Sequence, residues 1–173
     1  SMTRRWLLGS VVIVGFVLVS GCVCDPCDEG KKNKELVAEV FAVIEAGNFD
    51  KLDQFIAADY VRHCQATPDV QVTSLEELQE FLAHDLGTVS DPKMVLHRMA
   101  AEDDLVAFWA TYSGIQDGPM GLYPATGKRM ELDFAGMHRI ADDKIVETWV
   151  IWDSLTGLTQ LDLFPPKSPD TTE

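Results

Sequence analysis

The chain has 173 residues, room for one ordinary domain and hardly for two. Apolar residues make up 46% of it, enough for a hydrophobic core, while 28 acidic against 14 basic side chains give a formal charge of −14. A surface of that sign repels phosphate backbones, which excludes nucleic-acid binding as a function class and weakly favours a neutral or cationic ligand.

The first residues read as an export signal. Thr3-Arg4-Arg5 is a positive n-region, and Trp6 to Val19 is an apolar h-region interrupted by Gly9, Ser10 and Gly15. Val19-Ser20-Gly21-Cys22 closes it with small residues and a cysteine. That ending resembles the lipobox of bacterial lipoproteins. The resemblance implies a diacylglycerol on the Cys22 thiol, cleavage before Cys22 and acylation of the new amino terminus. Three acyl chains would anchor a protein to a membrane stably, where one binds only marginally. The apolar run is short for a bilayer span, which needs about 20 residues. The expectation is therefore a protein of the cell envelope, and Val23 at the second mature position resembles outer-membrane sorting in a bacterium with two membranes. Removing residues 1–21 takes away two arginines and no acid, so the remainder is more acidic still. Residues 22–33 read as the lipidated cysteine and a polar tether. Its Cys24-x-x-Cys27 fits a small disulfide loop, or two idle thiols, better than a redox centre, because no strand–helix context surrounds it.

From Lys34 the pattern turns helical, with Leu36, Val37, Val40, Phe41 and Ile44 on one stripe. Gly47-Asn48 stops that helix. Asp50 caps a short second helix carrying Leu52, Phe55 and Ile56. Tyr60 to Gln71 reads as an irregular stretch holding Tyr60, His63 and Cys64, the last packed as a small hydrophobe. Ser74-Leu75-Glu76-Glu77 fits a capping box and opens a third helix with Leu75, Leu78, Phe81, Leu82 and Leu86 on one face.

After Asp91-Pro92 the period changes to two. Four strands are predicted, over 93–101, 104–115, 128–140 and 144–153, with hairpin turns at Asp103-Asp104 and Asp142-Asp143. The Gly- and Pro-rich 116–127 segment reads as a rim loop. Helices first and antiparallel strands afterwards argue an α+β domain over 34–163, with 164–173 a disordered tail. Two strands are apolar on both faces, around Trp109 and around Trp149. One face takes the helices, and a second copy of the chain is the simplest cover for the other, so a homodimer is expected. Gly136 suggests a bulge that bends the sheet into a cone with a concave mouth.

Two stretches resemble a known family. Leu52 to His63, LDQFIAADYVRH, is similar to the second-helix-to-loop stretch of SnoaL-like polyketide and ester cyclases. Pro124 to Asp153, PATGKRMELDFAGMHRIADDKIVETWVIWD, resembles their P-x-T-G-K-R-V … F-R-I-x-D-G-K-I-V-E-H-W-D-V-W-D pattern. The closing Ser154 to Leu163 resembles their short C-terminal helix. The resemblance covers residues 34 to 163 and implies a nuclear transport factor 2-like cone: N-terminal helices on a curved antiparallel sheet.

In those cyclases an Asp on the last strand works as acid/base beside a His. The matching candidates are Asp153, which otherwise reads as the N-cap of the last helix, and His63, which otherwise reads as a loop histidine. The chain departs from the pattern at two places: the family's His before the strand's first Trp is Thr148, and the Asp after it is Val150. Tyr60, Trp109, Tyr112, His138, Trp149 and Trp152 are candidate pocket-lining residues, with plain core packing as the alternative. His84 and His97 read as structural. No histidine–carboxylate pair has metal-ligand spacing, so neither metal nor cofactor is expected. A fold that hosts many chemistries cannot name one. The sequence favours a tethered domain that binds a small hydrophobic molecule outside the cytoplasm, over a cofactor-free cyclase, isomerase or hydrolase using Asp153 and His63. The third alternative is a structural dimer module whose cone is filled by side chains.

Overall fold

The computed structural model describes residues 26–164. The expected signal segment, the expected lipidation site at Cys22, Cys24 and residues 165–173 lie outside the described residues.

Helix α1, Pro26–Glu45, starts well before Lys34, where the helical pattern was expected to begin. Asp28 and Glu29 in its first turn suit the positive end of the helix, and Asn33 is already buried. The stretch predicted as a tether is therefore helical from Pro26 onward. Gly47, at φ +68°, closes the helix, with Gly47 N donating to Ile44 O and Asn48 N to Val43 O. That pairing needs a left-handed residue at this point, which glycine supplies without strain. A short 3₁₀ helix, Phe49–Gln54, follows and buries Leu52 completely.

Strand β1, Ile56–Cys64, comes next. It replaces the end of the predicted second helix and the first part, to Cys64, of the irregular stretch expected over Tyr60 to Gln71. Helix α2, Leu75–Leu86, is capped as its sequence predicts, by Ser74 Oγ accepting from Glu77 N at 3.1 Å. The Glu77 carboxylate, however, turns back to Thr73, onto its N at 2.7 Å and its Oγ1 at 3.0 Å.

Four long strands follow: β2 Val89–Glu102, β3 Leu105–Gln116, β4 Lys128–Ala141 and β5 Lys144–Trp152. The sheet order is β1-β5-β4-β3-β2, with β1 parallel to β5 and every other pair antiparallel. Strand β2 begins earlier than predicted and carries Asp91-Pro92 through a register shift, where proline's missing N–H breaks no ladder bond. Asp142 and Asp143 both take positive φ, as a tight two-residue hairpin turn requires. Helix α3, Ser154–Gln160, closes the chain against β4, through Gln160 bonded to both the N and the O of Glu131.

The core lies between the helices and one face of the sheet. Val37, Val40, Leu52, Ile56, Leu78, Val106 and Ile145 fill it. Phe41, Phe108 and Phe134 pack ring to ring at 5.1–5.8 Å between centroids. Gln116 is fully buried and satisfied at both ends. Its Nε2 donates to Gly118 O and Pro124 O, and its Oε1 accepts from Thr126 N and Oγ1. One amide thereby pins the rim loop, a role the sequence reading missed.

Gly136 makes no bulge. The β3–β4 register runs unbroken through Phe108↔Gly136, and the bends fall in β2 and near Arg139/Ile140 instead. Glycine is needed there for close approach. A Cβ at 136 would sit 2.6 Å from the Phe108 ring and 2.6 Å from the Trp149 carbonyl oxygen. Gly136→Ala is expected to cost about 1–3 kcal/mol of stability through overpacking. Urea unfolding with an unchanged midpoint would show that Phe108 has room to move.

Candidate functional site

Between α1, α2 and the inner face of the sheet lies a cavity of about 860 Å³. Its lining extends from Ile56 and Ile145 to α3 and the rim-loop residues Met120 and Tyr123. The cone is thus not filled by side chains. Its walls are mainly apolar, including Phe81, Leu82, Met94, Leu132 and Val150. Such a space with a few convergent polar groups is the usual form of a small-molecule site.

The polar groups form a row across three strands. Arg62 on β1 stands opposite Thr148 on β5, and Thr148 stands opposite His138 on β4. Thr148 Oγ1 is 2.8 Å from His138 Nδ1, and the Tyr60 hydroxyl bonds to Thr148 as well. The His138 ring lies on Phe108 at 4.9 Å, and its Nε2 has no partner among the described residues. Burial holds this histidine neutral by lowering its pKa to about 4. Burial also pushes the Tyr60 phenol up to about 12. Tyr112, whose hydroxyl has no partner, is likewise at about 12, through burial and then the charge of Asp85. Asp85 lines the α2 side of the cavity, and burial raises its pKa.

Arg62 is 9% exposed. Its guanidinium lies 4.5 Å from the Phe81 ring centre and 5.5 Å from that of Trp152, and Nη1 donates to Thr67 Oγ1 at 3.3 Å. No sequence feature had marked Arg62, because β1 was not recognised. Once Tyr60 is placed on a strand facing inward, period two brings Arg62 to the same face.

The remaining candidates divide by face. Tyr60, Tyr112, His138 and Trp152 line the cavity. Trp109 and Trp149 do not, which corrects the sequence reading. In β3 the neighbours Phe108 and Ala110 point into the core, so Trp109 points out and is 49% exposed. In β5, Thr148, Val150 and Trp152 take the inner face and leave Trp149 on the outer one.

His63 is also on the outer face. Its Nε2 is 2.8 Å from Glu147 Oε1, and its ring stacks on Trp149 at 5.3 Å. Arg139 joins the same cluster, 2.5 Å from Glu147 Oε2 and 3.6 Å from Asp104. Asp153 caps α3, accepting from Thr156 N at 3.0 Å and Thr156 Oγ1 at 2.6 Å. Those bonds hold its carboxylate below the ordinary range, and it is solvent-exposed. The structure therefore does not bring Asp153 and His63 together. The two positions where the chain departs from the cyclase pattern, Thr148 and Val150, both face the cavity. Among the described residues no group of three or more His, Cys, Asp or Glu can hold a metal ion.

A family model described as SnoaL-like polyketide cyclase matches residues 34–161. Among solved structures the chain is similar to IdmH from Streptomyces antibioticus, at 24% identity and TM-score 0.67, over 76% of this chain and 99% of that one. It is similar to TsrD from Streptomyces laurentii, also at 24% and 0.67, over 76% and 95% of the two chains. An LEH-like epoxide hydrolase from M. tuberculosis matches at 18% and 0.62, over 77% and 91%. At these identities the likeness is one of fold. No protein of curated function matches this chain.

The buried His138 makes a pH prediction. Above about pH 6.5 the ring is neutral in both folded and unfolded chains. Between about 6.5 and 4 the unfolded chain takes a proton that the folded one refuses, so stability falls as pH drops through that window. The loss attributable to His138 should be roughly 2–4 kcal/mol. Urea unfolding at pH 7, 5.5 and 4.5 checks it. His138→Gln is expected to flatten the slope, and an equal slope in wild type and variant would contradict the assignment.

Proposed function

The chain belongs to the SnoaL-like polyketide cyclase family, and we propose, from its N-terminal sequence and its cavity, that it is an exported, lipid-anchored domain whose cavity holds a small hydrophobic molecule. The observation that carries this reading is the cavity's own chemistry. General acid–base work needs a group that titrates near the working pH. Tyr60 and Tyr112 titrate near 12 and His138 near 4, so all three are neutral at pH 7. The family's acid/base positions hold Thr148 and Val150, and the alternative pair, Asp153 and His63, is split between a helix cap and the outer face. What remains on the sheet side is a large, mainly apolar space in which Tyr60, Tyr112 and His138 stay neutral, which suits retention better than turnover.

The lipobox resemblance at Val19-Ser20-Gly21-Cys22, with the lipid it implies on Cys22, supports the same reading. Such a lipid would keep the domain away from the activated cytoplasmic intermediates that polyketide cyclases use. One observation favours catalysis instead: Asp85 is a cavity carboxylate with a raised pKa. A cofactor-free isomerase, cyclase or hydrolase here would run on Asp85 rather than on Asp153 and His63.

We also propose that the outer face pairs two copies of the chain. Val95, Trp109 and Ile151 lie exposed on it, and Trp109 and Ile151 both flank Ala135 in the sheet register. Around them Arg139, Glu147 and His63 provide charges of both signs. A two-fold interface must complement itself, and a patch with both signs around an apolar centre can do so.

Native mass spectrometry of the full chain, purified from its host, is expected to show a bound small molecule. Trp152→Ala should weaken its retention about tenfold or more through lost cavity lining, while Asp153→Asn and His63→Asn leave retention unchanged. Turnover of an identified ligand that is lost in Asp85→Asn would instead favour the enzyme. For the second copy, Trp109→Glu is expected to convert a dimer to a monomer in analytical ultracentrifugation, with ligand retention intact.

A further inference from the structure

Arg62 is out of place in an apolar cavity. A guanidinium offers five N–H donors in a planar fork. Among the described residues only Thr67 Oγ1 accepts from it, and at 3.3 Å. No carboxylate of the described residues is within ion-pair distance. Asp85 and Tyr60 are the ionisable groups that feel its charge, and both keep a raised pKa. A carboxylate in a true ion pair would have its pKa lowered. Among the described residues Arg62 is therefore a buried cation with no carboxylate in ion-pair contact, flanked by the faces of Phe81 and Trp152. Removing such a charge from water is costly unless something compensates it.

We propose that Arg62 is an anion-recognition site and that the molecule held in the cavity is a hydrophobic monocarboxylate. Its carboxylate pairs with the Arg62 fork, and its apolar body lies along Trp152, Phe134 and Leu132. This rests on the reading of the cavity as a ligand site and names the class of ligand. The guanidinium fork matches a carboxylate in a bidentate manner, and in a low-dielectric site the contact is strong. The chain's overall negative charge does not oppose it at short range, since surface charges are screened beyond about 8 Å at physiological ionic strength. Glu77, Glu80 and Asp85, which line the α2 side, repel the acid group and so direct it to Arg62.

The test is calorimetric titration of the full chain with two acids and their neutral counterparts: decanoate against decan-1-ol, and 2-naphthoate against 2-naphthamide. Wild type is expected to bind at least one acid roughly ten- to a hundredfold more tightly than its neutral partner. Preference for decanoate would mark a lipid-derived acid, and preference for 2-naphthoate an aromatic one. Arg62→Met should abolish the preference while keeping neutral binding, and Arg62→Lys should keep part of it. Neutral probes binding as well as the acids in wild type would overturn the proposal and leave the cavity reading intact. A preference that survives in Arg62→Met would overturn it too. Binding of none of the four probes would overturn both readings. The wild-type comparison decides the matter even if Arg62→Met does not fold.

Discussion

Strand β1 lies beside β5 with Arg62 opposite Thr148, His63 opposite Trp149 and Cys64 opposite Val150. Successive side chains of a strand point to opposite faces, so a slip of one residue would exchange them all. In the observed register Tyr60 and Arg62 enter the cavity, and His63 is placed outside with Trp149 and Glu147. The cavity's polar row, its one buried guanidinium and the outer charge cluster all follow from this pairing. The strand has only an edge position and a parallel neighbour. Its hold on the sheet is supplemented by Ile145 N donating to Phe55 O, by Arg62 N donating to Val72 O and by the burial of Ile56 and Tyr60.

Burying polar groups beside an apolar space has a definite chemical consequence. A group with a good partner keeps its hydrogen bond, and a group without one retreats to its neutral form. Thr148 serves both Tyr60 and His138, and both stay uncharged. Among the described residues His138 Nε2 and the Tyr112 hydroxyl have no partner, and each is on a residue that lines the cavity. Arg62 cannot take the neutral route, because a guanidinium does not lose its proton in a protein. Neutral Tyr60, Thr148 and His138 beside a permanent cation would suit this side of the cavity to holding an acid better than to moving protons.

Much of the fold was legible because strong local signals agreed with the tertiary structure. The Leu36–Ile44 stripe, the Ser74 cap, the Asp-Asp turns and the two-residue period after Pro92 each appear where the pattern predicts. Strand β1 was not legible. Its residues Ala57-Ala58-Asp59 interrupt any apolar alternation, and a register shift separates Ile56 from Val61. The helix over 26–33 was hidden because its residues are polar and carry no stripe of their own. The faces of Trp109 and Trp149 were ambiguous for a different reason. Each sits on a strand that is apolar on both sides, so composition could not choose between cavity and outer surface. Asp153 carried two compatible signals, strand-end acid and helix cap, and its contacts with Thr156 are those of a cap.

The family fold sets where a ligand goes, and two inward positions on β5 set what happens to it there. A carboxylate at position 150 would face the cavity from the strand that also carries Thr148 and Trp152, desolvated and next to the reacting space. Valine at that position gives the ligand contact area and nothing to exchange protons with. The cavity's carboxylates lie on α2, and its permanent cation, Arg62, stands opposite Thr148 on β1. The sign of the whole chain, which weakly favoured a neutral or cationic ligand, is a property of solvated surface. Inside the cone the nearest fixed charge decides, because at contact in a poorly solvated space one guanidinium outweighs many screened carboxylates.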